Sequence, residues 1–235
     1  MGIYFTVYNG IRDRDTGVKP VSRPNIPTAK EKVEEVEIPG RDGKLYRKKG
    51  TVEDIEIEIT YNFLSKREED WAEQFRNIKR RWLEKTTGDL MFSDDPGYFY
   101  KVKDVTIGTN ERLAKRIGKF QVTFYCEGYT YLTEGKETRG LSRTLYNAFE
   151  VSHPVYEITG DGVCKLTVNG TEITANIGGK LIIDTDLKIC YTALKETANR
   201  RLTGYYEDLY LREGENTFTV SQGFEVTIKP NWRCR

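Results

Sequence analysis

The stretch VEDIEIEITYNFLSKREEDWAEQFRNIKRRWLEK (Val52–Lys85) decides the fold class. Its first part alternates: Ile55, Ile57 and Ile59 are separated by Glu56 and Glu58. That period of two is the signature of a strand with one buried and one wet face. Its second part changes period. Trp71, Phe75, Ile78 and Trp82 recur at four, three and four residues and so share one helical face. Ser65 with Glu68 three residues on spells a capping box, and Glu68, Glu69 and Asp70 suit the positive end of a helix dipole. Lys79, Arg80 and Arg81 suit the other end, and Gly88 reads as the stop. The spacing predicts one helix over Ser65 to about Lys85, packing its aromatic stripe on a sheet.

Strand signals lie on both sides of this stretch. Upstream, VEEVEI (Val33–Ile38) is followed by PGRDGK (Pro39–Lys44), a turn signal with Asp42-Gly43 at its tip. Downstream, Tyr98–Ile107 and Lys119–Cys126 read as strands, the latter with Phe120, Val122, Phe124 and Cys126 on one face. The polar, aperiodic run TEGKETRGLSRT (Thr133–Thr144) reads as a linker. This predicts a first domain over residues 1–135, a linker over 136–148 and a second domain over 149–235. In that second part KLTVNGTEI (Lys165–Ile173), KLIIDTDLKICY (Lys180–Tyr191) and FTVSQGFEVTI (Phe218–Ile228) each read as a hairpin, which predicts a small β-sandwich. The fold class is mainly β with one long helix.

Composition narrows the function. The 235 residues carry 37 Lys and Arg against 36 Asp and Glu, a net charge of +1, so bulk charge does not make this a polyanion binder. There is one histidine, His153, which excludes a multi-histidine zinc site within one chain. Standing before Pro154, it reads as a polar residue where a strand begins. Cys126, Cys164, Cys190 and Cys234 are scattered with no CxxC pair, which suits free thiols in a reducing cytoplasm. The first ten residues, MGIYFTVYNG, lack the features of a secretory signal, and no apolar run approaches the roughly 20 residues of a membrane span. Glycine-rich nucleotide loops, HExxH and GxSxG are absent. Gly178-Gly179-Lys180 lacks the upstream glycine and the following Ser or Thr of a phosphate loop and precedes a strand, not a helix. Asp184 with Asp186, and Asp94 with Asp95, read as turns before they read as calcium or acid–base sites. These observations predict no enzyme, no cofactor and no metal.

One segment looks built to reach outward. Glu34, Glu35 and Glu37 precede Arg41, Asp42, Lys44, Arg47, Lys48 and Lys49 in a hairpin with acidic strands and a basic tip. Such a ribbon suits a contact with another copy of the chain as well as it suits a solvated hairpin.

Taken in order, the segments resemble the distal tail proteins (Dit) of long, flexible-tailed phages and prophages of Gram-positive bacteria. The resemblance rests on IPGRDGKL (Ile38–Leu45), RRWL with GDLMFSDDPGYFYKVK (Arg80–Lys103) and FQVTFYCEGYTYL (Phe120–Leu132). It continues through SHPVYEITGDG (Ser152–Gly162), LIIDTDLKICY, GENTFTV and VTIKPNWR (Val226–Arg233). It implies an N-terminal sandwich or barrel-like domain with a helix and a protruding hairpin, and a galectin-like C-terminal sandwich. It also implies a hexameric ring at the tail tip that joins the tail tube to baseplate or receptor-binding proteins. DNA would pass through its channel without specific binding, and the protein would be made in the host cytoplasm for the virion. The rival class is a carbohydrate-binding or host-adhesion module, with Tyr191, Tyr205, Tyr206 and Tyr210 as candidate platforms. A glycosidase using two carboxylates is a third.

Overall fold

The computed structural model describes residues 4–235. They form two compact units, one through Thr130 and one over Tyr131–Cys234. In the first, the alternating stretch becomes the strand Ile55–Leu64, paired antiparallel with Ile117–Leu132. The register sets Ile57 opposite Phe124, Ile59 opposite Val122 and Tyr61 opposite Phe120, while Glu58 faces Thr123 on the wet side. Every apolar member of these pairs is buried in one core. The sheet runs in the order Ile11–Arg12, Thr6–Tyr8, Gly88–Phe92, Asp95–Ile107, Ile117–Leu132, Ile55–Leu64, Val18–Pro20.

The helix spans Trp71–Trp82, shorter than the spacing predicted. Ser65 does not cap it. It is buried where the preceding strand ends; its hydroxyl donates to the Arg67 carbonyl and its N–H to the Arg116 carbonyl. A serine already satisfied by a neighbouring strand cannot also close the first helical turn. The helix follows Asp70 instead, whose carboxylate is forked by Arg67 at 2.9 and 3.1 Å. Gly88 is likewise not the helix stop; it opens a strand at φ +152°, and a Cβ there would sit 1.6 Å from the Asn9 side chain. Ile78 and Trp82 are buried, and Trp71 and Phe75 pack against the same core. The contacts are aromatic: Trp82 meets Tyr61 edge-on at 5.0 Å, and Phe75 stacks on Phe63 at 5.9 Å. Gly118 lies opposite Phe63, where a Cβ would come within 2.1 Å of the ring.

The second unit is built around one long hairpin, Val155–Val168 with Thr171–Asp184, paired over its whole length. Asn169 and Gly170 both take positive φ at its tip, as a tight two-residue turn needs. The ribbon bends where Gly160 faces Gly179 and Asp161 faces Gly178; Gly160 and Gly179 have φ of +147° and +78°. The bend splits the pairing. Glu225–Lys229 pairs with the first half of Val155–Val168, and Gly214–Val220 with the second. The expected FTVSQGFEVTI hairpin is therefore absent: its two strands lie along one partner strand and not against each other. Phe224, between them, occupies the space over Gly160. The expected linker is not bare either, since Arg139–Gly140 pairs with Glu225–Lys229 and Thr144–Asn147 pairs with Gly214–Val220.

Candidate interaction surface

The strands Glu31–Val36 and Leu45–Val52 form a two-stranded sheet of their own. Glu34 faces Arg47, Glu35 faces Tyr46, and Val36 faces Leu45. Apart from Glu31 and Val52 at its base, every residue of both strands is exposed. One face presents Val33, Glu35, Tyr46 and Lys48; the other presents Glu34, Val36, Leu45 and Arg47. Each face thus mixes an ion pair's worth of charge with exposed apolar groups, Tyr46 being 61% exposed.

The charge divides by strand, with Lys32 the exception on the acidic one. Glu31, Glu34, Glu35 and Glu37 lie on or just beyond the first strand, and Lys44, Arg47, Lys48 and Lys49 on or just before the second. The sequence reading placed the basic group at the tip; the chain turns between Glu37 and Lys44, so most of KLYRKK lies on the returning strand. Arg41 and Asp42 remain at the tip. Lys44 bonds Glu35 at 2.6 Å and reaches Glu37 at 4.0 Å, while Lys48 meets Glu31 at 2.8 Å. Exposed pairs of this kind are each worth about 0–1 kcal/mol. An isolated two-stranded ribbon is marginal in water. This one therefore has little to hold it rigid except what it touches.

The residues weighed for chemistry have structural partners. His153 stacks on Tyr210 at 4.0 Å, with Nδ1 2.9 Å from the Asp186 carboxylate and Nε2 3.0 Å from Arg233. Asp184 accepts the N–H groups of Asp186 and Leu187, which closes the hairpin turn. Asp94 pairs with Arg23 at 2.5 Å. Gly178 and Gly179 serve the bend, and the Gly179 N–H donates to the Asp161 side chain. All four cysteines are free thiols. Among the described residues no group of three His, Cys, Asp or Glu side chains is placed to hold a metal. No helix among them is long and apolar enough to cross a membrane.

Residues 14–126 match the model of the phage tail protein RIFT-related domain. Over its length the chain has the fold of the Dit protein of phage SPP1, described as a hub of the adsorption apparatus in phages that infect Gram-positive bacteria. That likeness has a TM-score of 0.67 at 16% identity and covers 97% of this chain and 98% of that one. A chain of the phage P2 baseplate in its calcium-activated conformation is similar at TM-score 0.57 and 10% identity, covering 100% and 99%. The strontium form gives 0.55 and 10%, covering 97% and 98%. No curated protein matches the chain in sequence.

Proposed function

We propose that the protein is a structural hub of a phage tail tip, in which six copies close a ring around a channel that passes DNA. The ring joins the tail tube on one side to baseplate or receptor-binding proteins on the other. The observation that carries this reading is the ribbon with two exposed faces and its charge divided by strand. An acidic strand and a basic strand side by side give one edge of each sign. Such edges are complementary head to tail, the arrangement that closes rings. The exposed Val33, Val36, Leu45 and Tyr46 supply apolar area that association would bury. The likeness to tail hub and baseplate chains supports the same reading.

The proposed contact set is Glu34, Glu35, Glu37, Arg41, Asp42, Lys44, Arg47, Lys48 and Lys49. Charge reversal tests it. E34K/E35K and R47E/K48E should each dissociate the assembly, since like charges would then face each other across the contact. Mixing the two variants should restore mixed assemblies, because each supplies the sign the other lacks. Assemblies unchanged in both variants would reject the ribbon as the contact.

A further inference from the structure

The second unit has a cavity of about 230 Å³ on the outward face of its sheet. Four side chains on that face form one cross-strand row: Tyr191 opposite Ile182, Ile182 opposite Glu157, Glu157 opposite Thr227. Their sequence neighbours Cys190, Ile183, Ile158 and Val226 are buried in the core behind them. The row therefore juxtaposes an aromatic ring, an aliphatic side chain, a carboxylate and a hydroxyl. The Thr227 hydroxyl is out of contact with solvent and has no hydrogen-bond partner. Leaving a hydroxyl in that state costs about 1–3 kcal/mol. Burial, with Asp184 and Glu157 nearby, raises the Tyr191 hydroxyl above its ordinary value, so it stays protonated and can donate.

The charge around this floor is lopsided. Glu157 is ion-paired with Lys180. Lys195 and Lys229 also line the cavity, and neither ammonium has an acidic partner among the described residues. The volume is below the roughly 300–1,000 Å³ of sites for drug-sized ligands, which leaves room for a single ring. An aromatic and aliphatic floor suits the C–H face of a sugar, converging polar groups suit its hydroxyls, and two uncompensated lysines suit an anionic substituent.

We propose that this cavity binds the terminal ring of an acidic saccharide. Tyr191 and Ile182 carry the ring, Glu157 bonds its hydroxyls, and Lys195 and Lys229 take its charge. Of the four tyrosines weighed from sequence, Tyr210 is occupied by His153 and the Tyr206 hydroxyl lies at Cys190 and Asn199. Tyr205 stands in solvent, 73% exposed. Tyr191 alone of these lines the cavity.

The test is saturation-transfer NMR on the full chain with methyl β-glucuronide, methyl β-glucoside and methyl phosphate, whose methyl protons report binding, as separate probes. The glucuronide should bind, the glucoside more weakly, and methyl phosphate not at all. K195E and K229E should each weaken glucuronide binding about tenfold while leaving glucoside binding unchanged, because each removes the charge that meets the carboxylate. Y191L should abolish binding. No transfer to either sugar at millimolar concentration, or binding unchanged in Y191L, would overturn the site. Glucoside binding equal to glucuronide would overturn its acidic specificity. None of these outcomes bears on ring assembly, so this site and the hub reading fail separately.

Discussion

Two long hairpins in this chain share a secondary structure and little else. Val155–Val168 with Thr171–Asp184 alternates buried and exposed residues, gains strands on both edges and carries Tyr156, Ile158, Leu166, Ile173 and Ile183 into the core. Glu31–Val36 with Leu45–Val52 has no such alternation and no further strand on either edge. The first ribbon is held by its own chain. The second has apolar groups on both faces that its own chain leaves exposed. Hairpin formation needs only a turn and two extended runs; what a hairpin is for depends on what its faces meet.

That contrast can be broken most forcefully from the core. W82A removes an indole that is 2% exposed and edge-on to Tyr61. It should cost ~3–5 kcal/mol in urea unfolding. Comparable truncations on the free ribbon, V36S or L45S, should leave the fold of the chain nearly untouched in the same assay.

A second effect is seen at alkaline pH. Burial first, then Asp54 and Glu127, pushes the Cys126 thiol up to about 12 from its ordinary 9. Burial does the same for Tyr8, up to about 12 from 10. Native chains therefore keep protons that unfolded chains release. The stability this represents is complete below pH 9 and is lost as pH rises through 12. Each group contributes up to about 1.4 kcal/mol per pH unit while only the unfolded state is ionised. C126V should flatten the fall between pH 9 and 12. A slope the same as that of the parent protein would show that the thiol does not stay protonated.

G118A comes next. Its new methyl would have to displace the Phe63 ring. It should lower stability by ~1–3 kcal/mol, as overpacking does. The smallest effect belongs to the ribbon: K44A, which removes the exposed pair with Glu35, should change stability by less than ~1 kcal/mol. An unfolding cost like that of W82A would mean the ribbon is held as the core is.

Much of this was legible in the residues because packing imposes its own period. Ile55, Ile57 and Ile59 announce one buried face, and the register with Phe124 and Val122 completes it. The aromatic spacing found the helix face but not its start. Ser65 and Glu68 have the spelling of a capping box, and only tertiary structure shows that the Ser65 hydroxyl is engaged elsewhere. FTVSQGFEVTI misled for a related reason: strand signals do not say which strand is the partner. The glycines of GDG and IGGK mark where the long ribbon changes partners, and of these only Gly178-Gly179-Lys180 was weighed from sequence, as a phosphate loop. The linker reading failed because Arg139–Gly140 and Thr144–Asn147 are edge strands too short to show a period. The ribbon's charge was plain, but its division by strand depended on where the chain turns. The proposed saccharide cavity was not legible at all beyond Tyr191, since its row is drawn from four strands, and only their pairing sets Thr227 beside Glu157.

The central claim is that the ribbon joins one copy to the next. The direct measurement is the light-scattering mass of the purified protein, side by side with a variant in which residues 33–50 are replaced by a two-residue turn. The chain should give a closed species of about 160 kDa, the mass of six copies under cyclic symmetry, and the variant should give the mass of one shortened chain, a little under the 27.2 kDa of the full chain, with its cores intact by circular dichroism. The full chain remaining at the single-chain mass at high concentration, or the variant keeping the six-copy mass, would contradict the account.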